Sequence, residues 1–307
     1  MSILLTAALS AALLLQQAAP AAQTPEDSTT VEGLVVTARP IPEKEAIAAF
    51  VSGVSAQSAN KRLARWDRKI CPGVIGVRES YAQVLNDRIA KAAVDVGLEV
   101  GEPGCKANML IVGTAASDLL VKNMIAGNPD AFSKYDHGVT RGRKALDAFT
   151  RSKAPVRWWH VTSRKTADGE RYQAGDSILV RGVGRLKSTT RDDFDHVIIV
   201  LDVSRIGKMR LGALADYIAM VGLAQIDPQA DTKGVSSILN LFEDREAGLT
   251  PPDGLTEWDL AYLNGLYGAR RDTLNSTGQK QDVVGSMAKD LAAPTPKPAD
   301  EAAPKED

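Results

Sequence analysis

The segment Leu211-Gly212-Ala213-Leu214-Ala215-Asp216-Tyr217-Ile218-Ala219-Met220-Val221-Gly222-Leu223-Ala224-Gln225 constrains this fold more than any other. Leu211, Leu214, Ile218 and Val221 recur at helical spacing, and Asp216 is the one charged side chain in the run. Such a helix needs a core to pack against, because water on all sides would leave its apolar surface exposed. The pattern predicts a helix that opens after Gly207 and runs to about Ala224. Gly222 is expected to end it, since glycine adopts a left-handed backbone without steric cost.

A chain of 307 residues has ample length to supply that core, as one large domain or two small ones. The formal net charge of -1 gives no field that would attract nucleic acid or an anionic membrane. Ile3 to Leu15 form a short apolar run followed by Ala18-Ala19-Pro20-Ala21-Ala22, which reads as a secretory signal over residues 1–22. The run is shorter than the roughly 20 residues a membrane span needs, and no later segment is long and apolar enough to cross a bilayer. A periplasmic or secreted protein is expected. In that setting the two cysteines, Cys71 and Cys105, are expected to form a disulfide stabilising the fold by about 3–4 kcal/mol.

After the signal, residues 23–40 read as a flexible segment holding a β-prone patch from Val31 to Pro40. Its Val35-Val36-Thr37-Ala38-Arg39 resembles a segment near the mature N-terminus of TonB-dependent outer-membrane receptors, which adds to a partner's sheet edge. The other reading is a linker that packs on its own domain. Residues 41–65 are expected to be an N-terminal helix, with Ile47, Phe50, Val51 and Val54 on its apolar face. A strand at 69–77, a helix capped by Ser80 and a buried strand at 108–113 predict a crossover with parallel pairing. Residues 115–152 read as helical and loop-rich. Strands are expected at 155–163, 177–183 and 196–203, with Asp192, Asp193 and Asp195 in a solvated loop. The composition turns to Pro, Ala, Lys and Glu from Ala292, and residues 273–307 as a whole are assigned to a disordered tail.

Three pieces carry a family resemblance. Ala215 to Gln225 has the outline of H-E-x-x-H-x-x-G-x-x-H, in which two histidines four residues apart hold zinc and the Glu activates its water. Gly222 stands at the Gly position and Val221-Gly222-Leu223 matches the usual Leu-Gly-Leu. Ser237-Ile238-Leu239 looks like the Ser-Ile-Met turn beneath the metal, with Leu239 in place of Met. Leu255 to Gly268, including Thr256, Asp259, Leu260, Leu263, Leu266 and Tyr267, is similar to the last helix of matrixin-type metzincins. Residues 66–272 therefore resemble a metzincin-like (zincin-like) metallopeptidase domain. The resemblance implies an α+β or α/β fold: a twisted mixed sheet with packed helices, an active-site-type helix, a Met-turn-like loop and a C-terminal helix.

The chemistry of that family is missing. Ala215, Ala219 and Gln225 occupy the zinc-ligand positions and Asp216 the Glu position, leaving vestigial cleft positions and no metal or other cofactor. The only histidines are His137, His160 and His196. His160 and His196 fall on predicted strands, where a hydrogen-bonded structural role is the commoner one. No G-x-S-x-G occurs, and Gly182-Val183-Gly184-Arg185 lacks the Lys-Ser/Thr pair of a phosphate loop. The leading expectation is an exported, non-catalytic metzincin-like protein that binds a peptide or an envelope protein. An active hydrolase with a rebuilt site and an envelope assembly factor are the alternatives.

Overall fold

The computed structural model describes residues 28–31, 34–37, 42–56, 62–132, 140–166, 168–170 and 187–293. The predicted signal, the strand at 177–183, Gly182 to Arg185, His137 and the chain from Pro294 onward lie outside them. Residues 1–40 form one unit, in which β1 (Ser28–Val31) pairs antiparallel with β2 (Leu34–Thr37).

The second unit begins at Ile41. It runs through α1 (Lys44–Val54), β3 (Pro72–Ile75), α2 (Glu79–Asp95), β4 (Met109–Thr114), α3 (Ser117–Gly127), α4 (Arg143–Arg151), β5 (Val156–Thr166) and β6 (Thr190–Asp202). There follow α5 (Leu211–Leu223), α6 (Leu241–Glu246), α7 (Glu257–Gly268) and α8 (Ser276–Ala292). Four strands make one mixed sheet in the order β3-β4-β6-β5. The β3–α2–β4 unit pairs in parallel, as the strand–helix–strand pattern predicts, because a parallel return needs a long crossover. β4 pairs in parallel with β6, from Met109 opposite Val197 to Thr114 opposite Asp202, and β5 closes the sheet as an antiparallel edge strand.

Both sheet faces are buried, which explains the continuous apolar run Val197–Leu201. Successive side chains point to opposite faces. Val197, Ile199 and Leu201 join the larger core with α1, α2, α5, α7 and α8, while Ile198 and Val200 join Trp159 and Val161 under α3 and α4. The Cys71–Cys105 disulfide forms, with Cα atoms 6.0 Å apart, and ties the start of β3 to the loop before β4. No described helix is long and apolar enough to cross a membrane.

Three expectations are corrected. The N-terminal helix does not fill residues 41–65: α1 stops at Val54, and Ser55 bridges to Ile226. Residues 62–66 instead run beside the start of β6, where Arg65 N–H donates to Asp192 O (3.3 Å) and Phe194 N–H to Arg65 O (3.0 Å). β4 begins only opposite Val197, so this segment supplies the backbone partners that the buried start of β6 requires. The tail assigned to 273–307 contains α8, capped by the Asn275 side chain. Val283, Val284, Met287 and Leu291 form a buried helical stripe whose signal is diluted by polar neighbours. Its approach to α7 is so close that a Cβ on Gly265 would lie 3.0 Å from Val283 O. Finally, Asp192 and Asp193 belong to β6 and are buried rather than solvated.

Candidate functional site

Every residue of α5 from Ala213 to Leu223 is buried, so the predicted site positions lie inside the core. Ala215 and Ala219 are fully enclosed, at 0% exposure. Gly222 follows them at helical spacing on the same face. It does not end the helix by a left-handed turn; the glycines with positive φ lie elsewhere, and α5 continues through Leu223 to an extended cap at Ala224. The bare Gly222 backbone is needed for packing. A Cβ there would stand 2.7 Å from Met109 Sδ on β4 and 3.5 Å from Ile199 Cδ1 on β6. The Ala-Ala-Gly face therefore lets α5 approach the sheet closely, and histidines in place of the alanines would have no room.

The two oxygen-bearing positions turn to other tasks. Asp216 accepts two hydrogen bonds from the Arg88 guanidinium of α2, at 2.8 and 2.7 Å, and a third from Leu255 N–H at 3.0 Å. It thus ties α2 and the approach to α7 onto α5. Gln225 Oε1 accepts from Ala64 N–H at 3.1 Å, and its backbone carbonyl accepts from Ala56 N–H at 2.8 Å. Ala215, Asp216, Ala219 and Gln225 share α5 or its end, and all four are buried.

The C-terminal turn of α5 needs partners, because the last carbonyls of a helix have none within it. Three aromatic side chains supply them. His160 Nε2 on β5 meets Val221 O at 2.8 Å, Trp66 Nε1 donates to Gly222 O at 2.9 Å, and the Tyr267 hydroxyl of α7 donates to Leu223 O. Trp158 Nε1 adds a bond to Ile226 O at 3.0 Å. A carbonyl only accepts, so His160 must carry its proton on Nε2. Burial pushes the His160 pKa down to about 4, so the ring is neutral at neutral pH and unable to serve as a cation there. Burial likewise raises the Tyr267 pKa and keeps its hydroxyl a donor.

The turn expected at Ser237-Ile238-Leu239 is a short 3-10 turn capped by Ser237 and packed against α5. Asp259 of α7 holds it, accepting from Ser237 Oγ (2.6 Å) and Ile238 N–H (2.7 Å) while closing a capping box with Thr256. Asp259 is fully buried, which raises its pKa against the pull of its four donors, Ser237 Oγ, Ile238 N–H, and the N–H and Oγ1 of Thr256. Leu239 packs against the core's edge.

A second polar region surrounds residues 62–66. Asp192 receives Arg62 (3.5 Å) and Arg164 (3.2 Å); Asp193 receives Lys165 (3.1 Å) and Arg191 (3.1 Å); Asp67 receives Arg191 and Arg271. Arg65 instead caps α7, donating to Leu266 O at 2.9 Å, Ala269 O at 2.6 Å and Arg270 O at 3.3 Å. Burial, with Arg271 beside it, lowers its pKa to about 10.

His196 spends its Nε2 on Ala131 O, as His160 does on Val221 O. Among the described residues no group of three His, Cys, Asp or Glu side chains converges to hold a metal ion. A surface groove of about 540 Å3 lies beside Ser236, Asp244, Asp253 and Thr256, and its Leu255 donates its N–H to Asp216. Sequence reasoning did not find Trp66, Arg65 or the structural role of Asp259. Trp66 gives no local signal, because its partner is a carbonyl 156 positions away. No protein-family model, no curated protein and no solved structure matches the chain.

Proposed function

We propose that this is an exported, non-catalytic relative of the metzincins that binds an extended peptide, or an envelope protein presenting one. The observation that carries the reading is the ordered frame of α5, the Ser237-Ile238-Leu239 turn and α7, bonded to one another while the zinc-ligand positions hold two buried alanines and Gln225. The Cys71–Cys105 bridge is compatible with a secreted chain. β5 is one of the two outer strands of the sheet, and an extended peptide would add to it through main-chain bonds.

The test uses the purified protein in three measurements. Metal analysis should find no stoichiometric zinc, and peptide libraries should be retained without cleavage. Hydrogen exchange at the β5 amides should slow when a retained peptide is added. One tightly held zinc per chain with peptide cleavage would refute the non-catalytic part. Retained peptides that leave β5 exchange unchanged would refute the strand-addition part.

A further inference from the structure

The groove of about 540 Å3 is lined by two segments: Gly234 to Ser236 with Asn240 and Asp244, and Thr250 with Pro252 to Thr256. Its volume falls within the range of small-ligand sites. Both segments are fastened to buried carboxylates. Asp259 accepts from Ser237 Oγ and Ile238 N–H next to the first, and from Thr256 N–H (2.9 Å) in the second. Leu255 N–H donates to Asp216, and a Cβ on Gly254 would stand 2.5 Å from Asp216 Oδ2. Thr256 Oγ1 lies 2.7 Å from Ser236 O, where the two segments meet. A ligand entering this groove meets loops that are already held, so the ordering cost of binding is small.

The lining selects the ligand. Asp244 and Asp253 are its only ionisable side chains, so an anion is repelled. Asp253 pairs with Arg210, but the two side chains are 71% and 73% exposed, which leaves the carboxylate open to a second cation. Asp244 forms no ion pair among the described residues. The N–H groups of Ser236 and Gly254 also bond to no described residue and are open to peptide carbonyls. Val235, Pro252 and Leu255 add apolar surface for the aliphatic stem of a long cationic side chain. We propose that this groove binds a peptide segment through a lysine or arginine side chain, whose charge meets Asp244 and Asp253. No β5 residue lines the groove, so the site stands apart from any peptide added to that strand.

The test uses the full-length protein and acetylated, amidated hexapeptides with lysine at a central position. The same peptides carrying norleucine or glutamate there serve as probes of charge. Amide NMR shifts of Ser236, Gly254 and Leu255 should move and saturate as the lysine peptides are added. Norleucine keeps the stem without the charge and should bind about fivefold more weakly, and glutamate should not bind. The lysine affinity should fall as salt is raised. Asp244→Asn should weaken the lysine peptides by about fivefold, leave the norleucine peptides unchanged and keep the parent's unfolding midpoint. Equal affinity for lysine and norleucine peptides would overturn the site, as would shifts that fail to saturate or that are confined to β5. An Asp244→Asn affinity for the lysine peptides equal to the parent's would overturn it too.

Discussion

The end of α5 and the start of β6 solve the same problem in different ways. Each brings backbone carbonyls or carboxylates into the interior, and each must partner them. At the end of α5 the partners are neutral: His160, Trp66 and Tyr267 donate to three successive carbonyls. Around β6 the partners are charged: Arg62, Arg164, Lys165 and Arg191 enclose Asp192 and Asp193. Neutral donors cost little to bury and are indifferent to salt, whereas buried ions depend on every member staying in place. The comparison places side chains that looked available for chemistry, two histidines and two aspartates, in the framework of the fold.

The sharpest way to break the contrast is to remove one buried ion. Asp193→Ala leaves Lys165 and Arg191 without their shared carboxylate and should lower unfolding free energy by about 3–5 kcal/mol in urea titrations. A loss below about 1 kcal/mol would mean that the charged region behaves like a surface ion pair.

Acid probes the neutral region. His160 titrates at about 4 in the folded protein against 6.5 unfolded, so between those values the unfolded chain binds the extra proton. Stability should therefore be constant above pH 6.5 and fall as pH drops toward 4, by on the order of 3 kcal/mol. His160→Gln keeps a donor and removes the titration, so this part of the acid loss should vanish. An unchanged pH profile in that variant would assign the loss to other groups.

Trp66→Phe keeps most of the ring's volume and orphans Gly222 O. It should cost about 1–3 kcal/mol, equally at low and high salt. A salt-dependent loss would remove the distinction between the two regions. The smallest effect is expected from Arg270→Gln. Its ion pair with Asp282 is exposed on the arginine side, and its unfolding midpoint should be indistinguishable from the parent's.

The legible parts of the fold were those with a local period. α5, α2 and the β3–β4 pairing follow from apolar spacing, and Thr256 announces the cap of α7. The disulfide followed from two cysteines and the expected oxidising setting. Less legible was α8, whose buried stripe sits among lysines, glutamines and aspartates. The acidic trio was misplaced because a strand start with three Asp in four positions looks like a loop until its arginine partners are known. Of the candidate site, the absence of zinc ligands in the motif could be read directly from Ala215, Ala219 and Gln225. That these positions are enclosed could not.

By itself, then, the sequence determined that Ala215 to Leu223 lies in an apolar helix and that the stretch to Gln225 lacks the zinc-ligand residues of H-E-x-x-H, because helical period and ligand chemistry are properties of neighbouring residues. Only the tertiary structure decided what those positions do. Gly222 is bare to admit Met109, Asp216 serves Arg88, and the last carbonyls of α5 are met by His160, Trp66 and Tyr267. Those partners come from β4, α2, β5, α7 and the 62–66 segment, and no local pattern encodes a contact whose two halves are brought together only when the core closes.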